Sequence, residues 1–245
     1  IIIKIALTPS IVVTTEESEF GVLSITRQSD KLKIPDGTNK NSITVYDNEF
    51  IRLDTVSFPG YYCDAVFMQS KESSDISVKD KVGKDNGIQV KEDVCYKAEF
   101  KPCSYPVILQ VNDPDMGQLT VKNNKDAGTY TLPPGSASLQ KAVEYSADKT
   151  FTITVANNPG YGIKSVKIYD ADGVSNPKDL TSAVDRVADI RVGGMVIDVV
   201  FEPVQYTVSW NCSNGDLKVT PGTEISIEGG GKKIEADNGE VVSIQ

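Results

Sequence analysis

Four cysteines, thirty-four acidic side chains and no histidine set the chemistry open to this chain. Without histidine there is no Ser-His-Asp or Cys-His catalysis, no His-containing zinc site and no His pH switch. The cysteines stand at 63, 95, 103 and 212 with no C-x-x-C pair. A four-cysteine zinc site draws its ligands in close pairs, so this spacing disfavours one. One disulfide, Cys63 to Cys95, is open to them; the other reading is four separate thiols. Asp113-Pro114-Asp115 and Asp170-Ala171-Asp172-Gly173 offer the hard oxygens that suit calcium. Both lack the further acids and closing Glu of an EF-hand loop, and each reads more simply as an Asp-rich hairpin turn. Gly229-Gly230-Gly231-Lys232 lacks P-loop spacing and a following helix, and reads as a hairpin turn. Acid/base catalysis needs two carboxylates held at a set distance in a cleft, and no acidic pair has a distinguishing context. No residue is therefore assigned to catalysis, a cofactor or a metal. Three aromatics remain as possible ligand contacts. Tyr61 follows a Pro-Gly turn and reads as a core or rim aromatic. Tyr62 takes the place that Gly162 has later in the chain. With Trp210 they could form a sugar-stacking platform.

The elements that would position these residues recur. Asn157 to Tyr169 reads NNPGYGIKSVKIY: a strand, a turn at Pro159-Gly160, Tyr161, then alternation through Ile163, Val166 and Ile168. The same unit runs earlier, through Pro59-Gly60-Tyr61-Tyr62 into Ala65, Val66, Phe67 and Met68. Strands close at Pro9, Pro102 and Pro203, and a new strand opens a few residues after each. Each opening strand is followed by a polar turn and a glycine-led alternating strand, at Gly21, Gly117 and Gly215. These glycines are expected to permit tight turns. The strand before the Pro-Gly-Tyr turn has copies beginning near Phe50, Phe151 and Val241.

A fixed order at a period of roughly a hundred residues marks tandem modules. The register is 1–9, the closing strand of a preceding module; 10–102, module one; 103–203, module two; and 204–245, part of a third. A chain that starts without Met and breaks in mid-module is expected to be a processed or excised piece of something longer. The two partial pieces completing one another is the alternative. Each module should hold five or six strands. In the closing strand Met195, Ile197, Val199 and Phe201 form a core face, as do Val94, Tyr96, Ala98 and Phe100. Cys95 falls on the opposite face while Cys63 aligns with core position Ile163, which tells against their bridge. Leu180, Val184 and Val187 have helical spacing, and Ser138 to Tyr145 is a weaker helix candidate. The long polar inserts Lys71–Gly87 and Gly173–Ile190 are loops by position, where binding sites collect.

The net charge of −9 disfavours nucleic acid and anionic membrane surfaces, which need clustered Lys and Arg. No run approaches a membrane-spanning length of apolar residues, and Ile1 to Leu7 has neither the basic start nor the cleavage site of a signal peptide.

The string of Gly-led strand, Pro-Gly-Tyr turn, Lys164-Ser165-Val166-Lys167-Ile168, Asp170-Ala171-Asp172-Gly173 and Val196-Ile197-Asp198-Val199-Val200-Phe201-Glu202-Pro203 resembles the internalin-B-type B-repeats of secreted bacterial surface proteins. The match is best over Pro159 to Glu202, weaker over Pro59 to Lys101, and the modules are longer than that family's. The resemblance implies an all-β or β-rich chain of small β-grasp-like modules arranged end to end. It implies a non-catalytic stalk, spacer or adhesive unit, exported to the cell surface, whose partner is a host, matrix or cell-surface protein or glycan. A glycan-binding module attached to a larger extracellular protein or enzyme is the alternative. The family has no catalytic or binding residues to carry over.

Overall fold

The computed structural model describes residues 9–35, 41–70, 75–85, 87–126, 128–210, 219–220, 225–226, 232–237 and 243–244. The chain divides into two compact units, Ile1–Ser104 with Glu144–Ser146, and Tyr105–Val143 with Ala147–Gln245.

The first unit is two facing sheets. One runs in the order β4 (Ser42–Tyr46), β1 (Ser10–Thr15), β9 (Val94–Pro102), β6 (Tyr61–Ser70), β7 (Ile76–Ser77). The other runs β3 (Lys33–Ile34), β2 (Gly21–Arg27), β5 (Phe50–Ser57), β8 (Ile88–Gln89). Alternation decides the packing. Ile11 and Val13 of β1, Tyr96 and Ala98 of β9, Leu23 and Ile25 of β2, and Ile51 and Leu53 of β5 share one buried cluster. Each valine, leucine and isoleucine among them contributes about 1.5–3 kcal/mol when fully buried.

The second unit repeats the plan. Its larger sheet is β13 (Ser138–Glu144), β10 (Ser104–Val111), β18 (Met195–Pro203), β15 (Tyr161–Asp170), β16 (Lys178–Asp179). Its smaller sheet is β12 (Thr129–Thr131), β11 (Gly117–Asn123), β14 (Thr150–Asn157), β17 (Val187–Asp189). The same unit contains β19 (Gln205–Trp210), antiparallel to β22 (Lys232–Asp237), which pairs with β21 (Ile225–Ser226). It also contains β20 (Val219–Thr220), antiparallel to β23 (Ser243–Ile244). Val241, where the third copy was expected to begin, lies outside the described residues, as do Cys212 and the Gly229–Gly231 run.

In both larger sheets the opening strand lies parallel to the closing one, Val13 beside Val94 and Val107 beside Met195, with antiparallel strands outside them. A β-grasp has such a mixed sheet covered by a helix; here the covering layer is a second sheet. The described residues contain no α-helix, only a single 3-10 turn at Lys79–Lys81. Two helical expectations fail for different reasons. Ser138–Glu144 is strand β13, because its backbone is taken by β10, and bonds just beyond its ends continue the pairing: Val111 N–H donates to Ala137 O at 2.9 Å and Tyr145 N–H to Cys103 O at 2.8 Å. Around Leu180 the carbonyls a helix would use are held by Arg186, which donates to Leu180 O at 3.1 Å and Thr181 O at 3.0 Å. Val184 is 97% exposed and Val187 pairs with Thr152 in β17.

Both Pro-Gly turns are type II. Tyr61 N–H closes on Phe58 O at 3.0 Å and Tyr161 N–H on Asn158 O at 3.1 Å. Gly60 and Gly160 sit at φ +92° and +86°, which L side chains resist. Gly21 and Gly117 have another cause: neither is at positive φ, so turn geometry does not require them. An added Cβ would stand 2.4 Å from the Phe100 ring at Gly21 and 2.4 Å from the Phe201 ring at Gly117. These glycines let the closing strand's phenylalanine pack onto the second sheet.

The closing strands show the expected core faces, with Val94, Tyr96 and Ala98 buried and Phe100 partly buried in one, and Met195, Ile197, Val199 and Phe201 buried in the other. Val196 departs from the pattern. It is buried on the outer face, where Ile108 and Tyr169 flank it across the sheet.

Candidate functional surface

Tyr61 enters an aromatic cluster. Its ring stacks on Phe20, with centroids 4.5 Å apart and planes at 20°, and meets Tyr145 edge-on at 5.6 Å and 88°. The φ of Gly60 brings the chain close beneath Tyr145, whose ring occupies the space a Cβ there would need. Tyr62 points to the other side of β6, by period 2. It is 44% exposed and pairs across the sheet with Lys101. Tyr61 and Tyr62 therefore do not present their rings on one surface. Trp210 ends β19 opposite Lys232, and its side chain lies outside the described residues.

Both larger sheets carry a bulge after the Pro-Gly-Tyr turn, between Cys63 and Ala65 and between Ile163 and Ser165. The bulged residue pairs with the end of the closing strand, with the charges exchanged. Asp64 meets Lys101 at 2.6 Å; Lys164 meets Glu202 at 3.2 Å. The Lys101 hydrogen bond lowers the Asp64 carboxyl and raises Lys101.

The Asp-rich turns close on themselves. Asp172 accepts from Val174 N–H at 2.9 Å, from Ser175 N–H at 2.8 Å and from the Ser175 hydroxyl, and these bonds, the hydroxyl's first, lower its pKa. Asp170 is held by Arg191 at 2.7 Å and Asn176 at 2.5 Å, so a guanidinium already occupies the place of a cation. Asp113 accepts from Asp115 N–H at 2.9 Å. Among the described residues no group of three or more Cys, Asp or Glu is placed to hold a metal.

Cys63, Cys95 and Cys103 are free thiols, each half-buried. Cys63 faces Phe100 and Cys95 faces Gln69, so the two lie five residues apart along the β6–β9 pair, about 17 Å at 3.3–3.4 Å per residue. A disulfide needs Cα atoms within about 7 Å, so this register excludes the Cys63–Cys95 bridge.

Sequence reasoning passed over two features. Lys149 is buried, its side chain 4% exposed, with the ammonium 2.5 Å from Asp126. Asn123 is buried beside them and donates to the same Asp126 oxygen at 3.1 Å. Nothing in the local pattern distinguishes Lys149 from the exposed lysines. The second feature is the apolar exposure of Phe20, Val56 and Phe58, whose i, i+2 spacing, Phe20 with Val22 and Val56 with Phe58, is present in the sequence.

No family model matches the chain, and no curated protein matches it. Among solved structures it is similar to the C-terminal fragment of pilus adhesin SpaC from Lactobacillus rhamnosus GG, at 12% identity and TM-score 0.35, over 81% of this chain and 98% of that one. It is similar to the Bacillus anthracis TIE protein at 12% identity and TM-score 0.38, over 97% of this chain and 43% of that one. The major pilin from Streptococcus pyogenes aligns at 10% identity and TM-score 0.30, over 78% and 96%.

Proposed function

We propose that this chain is a non-catalytic, exported structural or adhesive segment, built by repeating one two-sheet module as a stalk or spacer, of the kind the B-repeat resemblance implies. One observation carries the reading. The two units share strand order, type II turn, bulge and bulge ion pair, yet the ion pair has exchanged its charges. The pairing is kept while the identity of each charge is free to change, as expected where the module's form is what matters. The partner is a host, matrix or cell-surface protein or glycan.

Small-angle scattering on the monomer tests this. A stalk gives an elongated profile with evenly spaced modules. A compact profile sinks the spacer reading and turns attention to ligand screening.

A further inference from the structure

Phe58 N–H donates to Phe20 O at 3.0 Å, which continues the register that sets Gly21 opposite Ser57 and Val22 opposite Val56. Gly21 and Leu23 point into the core, so period 2 turns Val22 and Val56 outward together; Phe58 follows Val56, and Phe20, in the turn before β2, stacks on Tyr61. The result is an apolar patch at this end of the smaller sheet. Phe20 is 40%, Val56 61% and Phe58 42% exposed.

The second unit shows that the module does not need this. At the same register positions it has Met116 with Asn158 and Gln118 with Ala156. The fold stands with one polar residue in each pair, so the uniformly apolar face of the first unit is an addition. Contiguous exposed apolar side chains mark interaction surfaces.

The surroundings say what fits. A cleft of about 250 Å³ shares Val22 with the patch and is lined by Glu16, Glu17, Gly21, Pro35 and Asn41. Lys97 stands 3.4 Å from Glu16, while Glu17 accepts an amide hydrogen bond from Asn41 at 2.8 Å. Glu19, next to Phe20, is exposed. The rim is acidic. A second copy would bring acid against acid on a chain of net charge −9. A sugar finds one face of Phe20 already stacked on Tyr61, and valines that offer no hydrogen bond.

We propose that this face of the first unit docks a polypeptide segment carrying apolar side chains next to a lysine or arginine, the apolar groups on Phe20, Val56 and Phe58 and the cation in the acidic cleft. This deepens the adhesive part of the function proposed above and rests on it only for context.

The test uses the full chain and two labelled short peptides, one with a tryptophan and two leucines followed by two lysines, the other with glutamates for the lysines. The lysine peptide should bind, more weakly as salt rises, and the glutamate peptide should not. Val56→Ser with Phe58→Ser should weaken binding about tenfold or more. Glu17→Gln with Glu19→Gln, which leaves the apolar patch intact, should reduce both affinity and salt dependence. The proposal is overturned by equal affinity for the two peptides, by no binding at millimolar concentration, or by affinity indifferent to both variants. A dimer that the serine variant abolishes in sedimentation, or glycan-array hits lost with it, would overturn it in favour of another occupant. Scattering reports separately on the stalk, so either reading can fail without the other.

Discussion

A methyl group on Gly117 would stand 2.4 Å from the Phe201 ring. Gly117→Ala should therefore cost about 1–3 kcal/mol, the usual penalty for overpacking, read as a lower denaturant midpoint. Gly60→Ala adds a collision with Tyr145 to the strain of φ +92°, whereas Gly83→Ala, at φ +73° with nothing within 4 Å, meets strain alone, about 1–2 kcal/mol. Gly60→Ala should be the more destabilising, and equal midpoints would show that Tyr145 yields freely. Asp126 and Asp30 are also separable. The Asp126 carboxyl is held below its ordinary 3.8 first by its hydrogen bond from Lys149, and Asp30 is pulled to about 2 first by Arg27. Both folded values lie below the unfolded one. Their stabilisation is thus present above pH 3.8 and is lost as pH falls through the folded values. Asp126→Asn removes a contact to a buried ammonium, Asp30→Asn one to a more accessible guanidinium. Asp126→Asn should lower the thermal midpoint further at pH 7, with the gap narrowing towards pH 2.

At the scale of elements, β4 is an edge strand with three of its outward backbone groups already taken. Glu49 accepts from Tyr46 N–H at 3.0 Å and returns its own N–H to Tyr46 O at 2.9 Å, while Arg27 donates to Thr44 O. The corresponding edge strand β13 instead carries exposed Lys141 between Leu139 and Val143 on the core-side period. Both are ways of discouraging strand addition. Arg27→Ala with Glu49→Ala should open the β4 edge and raise self-association in sedimentation velocity, whereas Lys122→Ala on an inner strand should not. The element that eluded sequence reasoning most clearly is β13. Its Leu-Gln-Lys-Ala-Val-Glu run has good helix formers, but β10 presents an edge that only a strand can satisfy, and pairing overrides propensity.

For the whole molecule, the amino-acid order alone establishes the β-rich class, the near-hundred-residue period and the core face of each closing strand. Those features follow from local alternation and from prolines and glycines at fixed places, which act on the chain wherever it goes. Tyr61 was legible as a core or rim aromatic for the same reason. Only the tertiary structure decided its neighbours, since Phe20 and Tyr145 are remote from it in sequence and meet it through sheet register and the Gly60 turn. It likewise decided that Cys63 and Cys95 lie five residues apart along the β6–β9 pair, that Gly21 and Gly117 serve ring packing, and that Lys149 is buried. Each of these depends on which strand lies beside which, and strand pairing over long separations leaves no periodic mark on either partner alone.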